Sequence, residues 1–359
     1  MTVKLINLFE YEPLAQARLS PMAFDYYASG AWDEVTLKDN RAAFNRYKLR
    51  PRMLVDVSQR DLSTTILGQK LTMPILIAPM AFQCLAHPEG EIATASSARE
   101  LGTIMVLSTL ATKTLETVAA VDSLRWFQLY VHRDRQLTKS LVERAYKAGF
   151  QALCLTVDAP VLGRREKDRR NQFVLPPGME LANLANITDL EISYHQDESG
   201  LFSYFLEQLN PALTWKDLDW LQSISPLPLV VKGILRGDDA LRAVEYGAKA
   251  IIVSNHGGRQ LDGAIASIDA LTDVVAAVGD KAEILVDGGI RRGTDVLKAL
   301  ALGAKAVLLG RPVLWGLAVD GQLGVQKVLE LLRDELDLAM ALSGCATLKD
   351  VDFSMVISG

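Results

Sequence analysis

One pattern constrains this 359-residue chain more than any other: a short, continuously apolar run that recurs eight times. The runs are Pro74–Pro79 (PILIAP), Thr103–Ser108 (TIMVLS), Trp126–Val131 (WFQLYV), Ala152–Asp158 (ALCLTVD), Pro228–Gly233 (PLVVKG), Ala250–Asn255 (AIIVSN), Glu283–Gly289 (EILVDGG) and Ala306–Arg311 (AVLLGR). None alternates apolar with polar. A strand that is apolar throughout has both faces buried, as in a parallel sheet covered by helices. Stretches of helical periodicity, such as Asp238–Tyr246, lie between the runs. Gly102, Gly149, Gly247, Gly279 and Gly303 stand shortly before a following run, where glycine accepts the left-handed conformation that ends a helix. Successive runs start 22 to 33 residues apart, except for a gap of 76 between the fourth and the fifth.

The chain therefore spells strand–helix eight times, and part of it repeats. Gly233–Ala250 matches Gly289–Ala306 at 11 of 18 positions. Repeated helix-containing units predict a (β/α)8 TIM barrel, ahead of an open doubly wound sheet. The barrel should occupy residues 74–345 of a single domain spanning 1–359. Residues 1–73 read as an N-terminal extension, helical over Pro21–Gly30 and Arg41–Arg46, with an extended lead-in. Residues 159–227, which contain Pro176-Pro177-Gly178 and the polar stretch Tyr194–Gly200, form a long loop after strand four. A loop of that length beside the active-site face is expected to be a lid.

Apolar residues make up 49% and charged residues 23%, the balance of an ordinary soluble protein. The net charge of −5 argues against nucleic acid as a partner. Cys84, Cys154 and Cys345 are too dispersed for a disulfide framework or a spaced metal site, so a reduced, cytoplasmic setting and no metal are expected. No uncharged apolar stretch reaches 18 residues, and residues 1–10 hold no signal-like run, so no membrane partner is expected.

In such a barrel the site is built where the strands end. Those ends carry Met80 and Ala81, Ser108, Gln128 and Tyr130, Thr156 and Asp158, Lys232, Ser254 and His256, Asp287, and Gly310 and Arg311. Of four histidines, His87 precedes Pro88-Glu89-Gly90 as a candidate helix cap. His132 precedes Arg133-Asp134-Arg135 and is expected on a solvated loop, and His195 falls in the polar part of the insertion. His256 ends strand six beside Gly257 and Gly258, with Arg259 and its carboxylate-matching fork close by, and is the candidate base. Asp287-Gly288-Gly289-Ile290-Arg291 after strand seven and Gly310-Arg311 after strand eight are placed to bind a phosphate. Lys232 ends a buried strand and must meet an anion there, either a cofactor or a carboxylate such as Asp287. No Gly-x-Gly-x-x-Gly follows the first strand, which argues against a Rossmann dinucleotide site.

Ser254-Asn255-His256-Gly257-Gly258-Arg259-Gln260 resembles the signature of the FMN-dependent L-2-hydroxy acid oxidases and dehydrogenases, which include glycolate oxidase and L-lactate oxidase. Asp25-Tyr26-Tyr27-Ala28-Ser29-Gly30, Gln128-Leu129-Tyr130, Leu155-Thr156-Val157-Asp158, Leu162-Gly163-Arg164-Arg165-Glu166, Lys232-Gly233 and Asp287-Gly288-Gly289 extend the likeness over essentially the whole chain. The resemblance implies FMN as cofactor and His256 as base, with Asp158 stabilising its imidazolium. It implies that Arg165, Arg259 and Tyr26 hold the substrate carboxylate and that Tyr130 bonds the substrate hydroxyl. Ala78, Pro79, Met80, Ala81, Ser108, Gln128, Tyr130, Thr156, Ser254, His256 and Gly257 would surround the flavin, and Lys232 would stabilise it when reduced. Asp287 and Gly288 would meet the ribityl chain, and Gly289, Arg291, Gly310 and Arg311 the phosphate. Dioxygen as acceptor, peroxide as product and a homotetramer follow from the same likeness.

The chain departs from the glycolate oxidases at three pocket positions. Leu110 stands where they carry Trp, Met80 where the plant enzymes have Thr, and Phe205 where they have a smaller aliphatic residue. The room freed at Leu110 predicts L-lactate over glycolate as substrate. The alternatives are a glycolate oxidase, an L-lactate dehydrogenase using another acceptor, and a non-catalytic FMN-binding barrel.

Overall fold

The computed structural model describes residues 5–184 and 200–359. Each apolar run forms a strand: Ile75–Ile77, Ile104–Leu107, Leu124–Leu129, Leu153–Thr156, Leu229–Ile234, Ala250–Val253, Glu283–Asp287 and Ala306–Leu309. All pair in parallel and in chain order, and strand eight closes on strand one with Leu308 opposite Leu76. The result is the predicted closed TIM barrel. Gly102, Gly149, Gly247, Gly279 and Gly303 all have positive φ.

The helices are α1 (Tyr11–Arg18), α2 (Pro21–Ala28), α3 (Val35–Ala42), α4 (Glu91–Glu100), α5 (Leu115–Ala119), α6 (Arg135–Lys147), α7 (Glu166–Arg170), α8 (Gly200–Gln208), α9 (Lys216–Ile224), α10 (Gly237–Glu245), α11 (Ser267–Val278), α12 (Gly293–Ala301) and α13 (Arg311–Ser343, bent at Asp320–Gly321). Strand residues facing outward, such as Ile75, Leu107, Phe127, Leu155, Val231 and Val253, join the helices in one buried cluster.

The inward-facing residues explain why the site lies where it does. Leu76, Val106, Trp126, Cys154, Val230, Ile252, Leu285 and Leu308 fill the barrel. Ile66 and Leu71, from the hairpin Thr64–Ile66/Gln69–Leu71, extend this cluster at the end where the strands begin. There Leu67 N–H donates to Glu283 at 2.8 Å and Trp126 Nε1 donates to Gln69 at 3.3 Å. Side chains on one strand face repeat every second residue. The next inward positions are therefore Ala78, Ser108, Gln128, Thr156, Lys232, Ser254, Asp287 and Gly310. One face of each strand is apolar at its start and polar or small at its end.

The N-terminal extension differs in detail from its sequence reading. The helix expected at Arg41–Arg46 begins earlier, as α3, and ends in a 3-10 turn over Ala43–Arg46. The first N–H groups of α3, on Val35 and Thr36, donate to the Asp262 carboxylate at 3.2 and 2.8 Å. The cap thus comes from the loop after strand six, where no local motif announces it. In the 159–227 stretch, α9 packs beside α6 as the covering helix of the fourth unit. His195 and most of Tyr194–Gly200 lie outside the described residues.

His132 is not on a solvated loop. It is buried, its Nε2 is 2.7 Å from the Tyr204 hydroxyl, and burial holds its pKa down at about 4. Of the three charged residues that follow it, Asp134 caps α6, accepting from Gln136 and Leu137 N–H, and Arg135 is the first residue of that helix. The chain leaves the interior one residue later than the charge pattern suggested. His87 makes a local turn, accepting from Glu89 N–H at 3.3 Å. Among the described residues no helix is long and apolar enough to cross a membrane, and no cluster of three metal-ligating side chains occurs.

Candidate active site

The ends of the eight strands surround one open cleft. His256 reaches it from a turn with left-handed backbone at φ +58°. That turn is tied down from behind by a buried pair of amides. Asn255 exchanges hydrogen bonds with Asn40 at 2.7 and 2.8 Å and accepts from Gly258 N–H at 3.1 Å. His256 Nδ1 is 2.8 Å from Asp158 Oδ1 at the end of strand four. A Cβ on Gly233 would lie 2.6 Å from the Asp158 side chain, so only glycine leaves room for it.

With Nδ1 engaged by the carboxylate, Nε2 is the nitrogen free to take a proton. Burial lowers the His256 pKa, and this outweighs the charge and hydrogen bond of Asp158, which raise it. Burial alone would raise the Asp158 pKa, but the positive charge and hydrogen bond of His256 hold it low. A base must start neutral, so activity should be lost as pH falls through the His256 pKa. The acid limb of kcat/KM should therefore lie below the ordinary histidine value of about 6.5. Asp158→Asn removes the charge that raises this pKa, so it should move the limb further to acid while lowering the plateau. A pH–rate profile of both proteins checks this; an unmoved limb counts against the pair.

Two guanidinium groups share the cleft. Arg259 Nη1 donates to the carbonyls of Tyr26, Tyr27 and Ser29 at 2.6, 3.3 and 2.9 Å, and the group lies over the Tyr26 ring at 5.0 Å. Arg165 is buried beside it, with Nε 3.4 Å from the Arg259 carbonyl and Nη1 3.8 Å from Asp168. Burial, then the charge of Arg165, lowers the Arg259 pKa to about 10. Tyr26 and Tyr27 are adjacent but differ in role. Tyr26 stacks on Phe173 at 4.4 Å, whereas the Tyr27 hydroxyl donates to the Phe82 carbonyl at 2.7 Å. Leu110 and Met80 line the same space, with Phe205 edge-on to Tyr130 at 5.4 Å.

The rest of the cleft suits a phosphorylated ring cofactor. Lys232 Nζ sits 3.1 Å from Asp287 Oδ2 and donates to Ser254 Oγ at 2.9 Å. Burial would lower its pKa, but Asp287 and Asp158 together raise it. Asp287 Oδ1 is buried with no partner among the described residues, leaving an acceptor for a ligand hydroxyl. Gln128 bonds Thr156 Oγ1 at 3.1 Å and accepts from Ser108 Oγ at 3.3 Å. Arg311 donates only to carbonyls, those of Tyr27, Gly257 and Ser29 at 2.9 to 3.1 Å. Burial and the charges of Arg259 and Arg291 lower its pKa to about 9. Burial also lowers that of Arg291. Among the described residues neither pairs with a carboxylate. Two half-buried cations with that deficit, beside the glycine turn Gly288–Gly289, fit a phosphate. A Cβ on Gly289 would fall 1.9 Å from the Asn40 carbonyl.

Every candidate site residue from the sequence lines this one cleft except two. Asp158 and Ser254 stand behind it, bonded to His256 and Lys232. The sequence reading missed the Tyr27 and Ser29 carbonyls that anchor the arginines, and the apolar walls Ile290 and Leu314. It also missed Asp168, although its spacing of three from Arg165 on a helix was a usable signal.

With the barrel, the imidazole–carboxylate pair, the two arginines and the glycine turn in place, the class is settled by comparison: residues 15–358 match the FMN-dependent dehydrogenase family, and the chain belongs to it, with FMN as its cofactor. Among its relatives, an L-lactate oxidase of Nostoc sp. is 71% identical over 356 residues, covering 98% of each chain. The glycolate oxidase of Spinacia oleracea is 53% identical over 355 residues, covering 99% of this chain and 96% of the other. A crystal structure of mandelate oxidase with (S)-4-hydroxymandelic acid superposes with a TM-score of 0.93 at 45% identity, covering 97% of each.

Proposed function

We propose that the protein oxidises L-lactate to pyruvate and passes both electrons to dioxygen, giving hydrogen peroxide. The observation carrying this reading is the convergence, in one cleft, of a carboxylate-backed imidazole with two guanidinium groups, one buried and one half-buried. FMN, when bound, accepts the two electrons leaving the α-carbon. Arg165 and Arg259 hold the carboxylate and fix the orientation of the acid. Tyr130 bonds its hydroxyl, His256 Nε2 takes a proton, and Asp158 stabilises the resulting imidazolium. Lys232 places a positive charge beside the flavin site.

The choice of lactate rests on Leu110, which leaves space for a methyl group where an indole would close it. One methyl group is worth about 1–3 kcal/mol, or roughly 10- to 200-fold. Lactate should therefore exceed glycolate in kcat/KM, and glycolate should still turn over. Leu110→Trp should move the ratio toward glycolate by about tenfold. A peroxide assay on both acids, with and without oxygen, tests substrate and acceptor together, and a clear glycolate preference in the unaltered protein would sink the reading. The same reading makes the protein a cytoplasmic homotetramer, which light scattering of the holoenzyme would check for assembly.

A further inference from the structure

We propose that His132 and Tyr204 are a positioning pair that fixes Phe205 against Tyr130, and so limits the size of side chain the hydroxy acid can carry. This rests on the 2-hydroxy acid reading above, and it concerns residues outside the catalytic set.

His132 follows strand three, and Tyr204 lies in the middle of α8; both are 1% exposed. Backbone bonds dock the C-terminal end of α8 on the same strand end. Arg133 N–H donates to the Gln208 carbonyl at 2.8 Å, and Asn210 N–H donates to Val131 at 3.0 Å. His132 is itself anchored, its N–H donating to Thr138 Oγ1 on α6 at 2.9 Å. The imidazole–hydroxyl bond at 2.7 Å adds a tie four residues before Gln208, about one helical turn away. Two ties a turn apart fix both the height of a helix and its rotation about its axis.

The rotation matters because the next residue is Phe205. Successive side chains on a helix are about 100° apart. With Tyr204 held toward His132, Phe205 points into the cleft, where it is 5% exposed and meets Tyr130 edge-on at 5.4 Å and 70°. Tyr204 and Phe205 meet at 6.0 Å and 77°, so the pair moves as a unit. Tyr130 is held from the other side, its N–H donating to Thr109 Oγ1 at 3.2 Å. Any slackening of Tyr204 is thus taken up at the Phe205–Tyr130 contact.

An apolar pair would fill this space without polar cost. The imidazole instead leaves Nδ1 buried with no well-formed hydrogen bond among the described residues, the Tyr130 carbonyl being a weak neighbour, which is unfavourable. What it supplies in return is one directed bond to the Tyr204 hydroxyl. Burial holds the ring neutral near neutral pH, so the tie is constant there.

The test uses the FMN-loaded enzyme and compares kcat/KM for L-2-hydroxybutanoate and L-2-hydroxyoctanoate with that for L-lactate. Tyr204→Phe removes one oxygen and should raise both ratios by about 3- to 10-fold, the worth of one buried hydrogen bond. His132→Leu should do the same. His132→Gln, whose amide can reach the hydroxyl, should restore much of the original ratio. Phe205→Ala should raise the ratios further, and adding Tyr204→Phe to it should then change them no more, because the effect acts through that ring. Unchanged ratios in both Tyr204→Phe and His132→Leu would overturn the proposal. So would an undiminished effect of Tyr204→Phe in the Phe205→Ala background. Better turnover of glycolate than lactate by the unaltered enzyme would instead count against the lactate reading. The ratios among longer acids would still judge the pair.

Discussion

A His256→Ala protein should fold, bind FMN and stay yellow, yet lose its reduction by L-lactate by about 10²- to 10⁴-fold. The measurement is anaerobic stopped-flow bleaching of the flavin. The flavin cradle should survive because His256 is one of many residues lining the cleft and the others are held without its side chain. The turn is held by Asn255 and Asn40, and the phosphate side by Arg291 and Arg311. Backbone strain is the one complication, since position 256 has φ +58°. Asparagine tolerates that region better than alanine, so His256→Asn is the control: it should be at least as well folded and equally slow. Bleaching at the unaltered rate in either variant would remove His256 from its role. Lys232 should go on holding Asp287 and the flavin site in both, which separates loss of the base from loss of the cofactor.

How far the sequence foretold this site depends on which contacts were local. The eight strands were legible because burial on both faces forces unbroken apolar runs. The site residues were legible because an inward-facing row that is apolar at Trp126 or Val230 turns polar two residues later, at Gln128 or Lys232. Lys232 pairs with Asp287, the carboxylate its sequence reading named, and it also lines the cleft. What escaped was set by partners distant in the chain. Asp262 caps a helix more than 200 residues earlier. His132 looked solvated because three charged residues follow it, but its partner Tyr204 is 72 residues away. Phe205 itself was named from the resemblance and lines the cleft, but the His132–Tyr204 bond beside it had no local signal.

Replacing Arg259 should cost the enzyme its grip on the acid while sparing the flavin. Arg259→Met should lower kcat/KM for L-lactate by roughly 10²- to 10³-fold, the about 3–4 kcal/mol expected when one partner of a buried charged pair is removed. FMN should stay bound, because the proposed phosphate contacts have anchors of their own: Arg311 shares the Tyr27 and Ser29 carbonyls but also bonds Gly257, and Arg291 bonds the Ile290 carbonyl. Arg259→Lys should recover little. Nη1 alone of this guanidinium serves carbonyls of Tyr26, Tyr27 and Ser29. A planar fork can do that and still present its other nitrogens to a carboxylate, whereas a compact ammonium cannot. Lactamide separates this role from a general loss of packing. It keeps the methyl and hydroxyl groups but carries no charge, so the unaltered enzyme should reject it strongly. In Arg259→Met lactate should fall toward the lactamide rate, shrinking the gap by the same 10²- to 10³-fold. If both substrates slowed equally, Arg259 would be bracing the Tyr26–Ser29 backbone rather than holding the anion, and the clamp would rest on Arg165 alone.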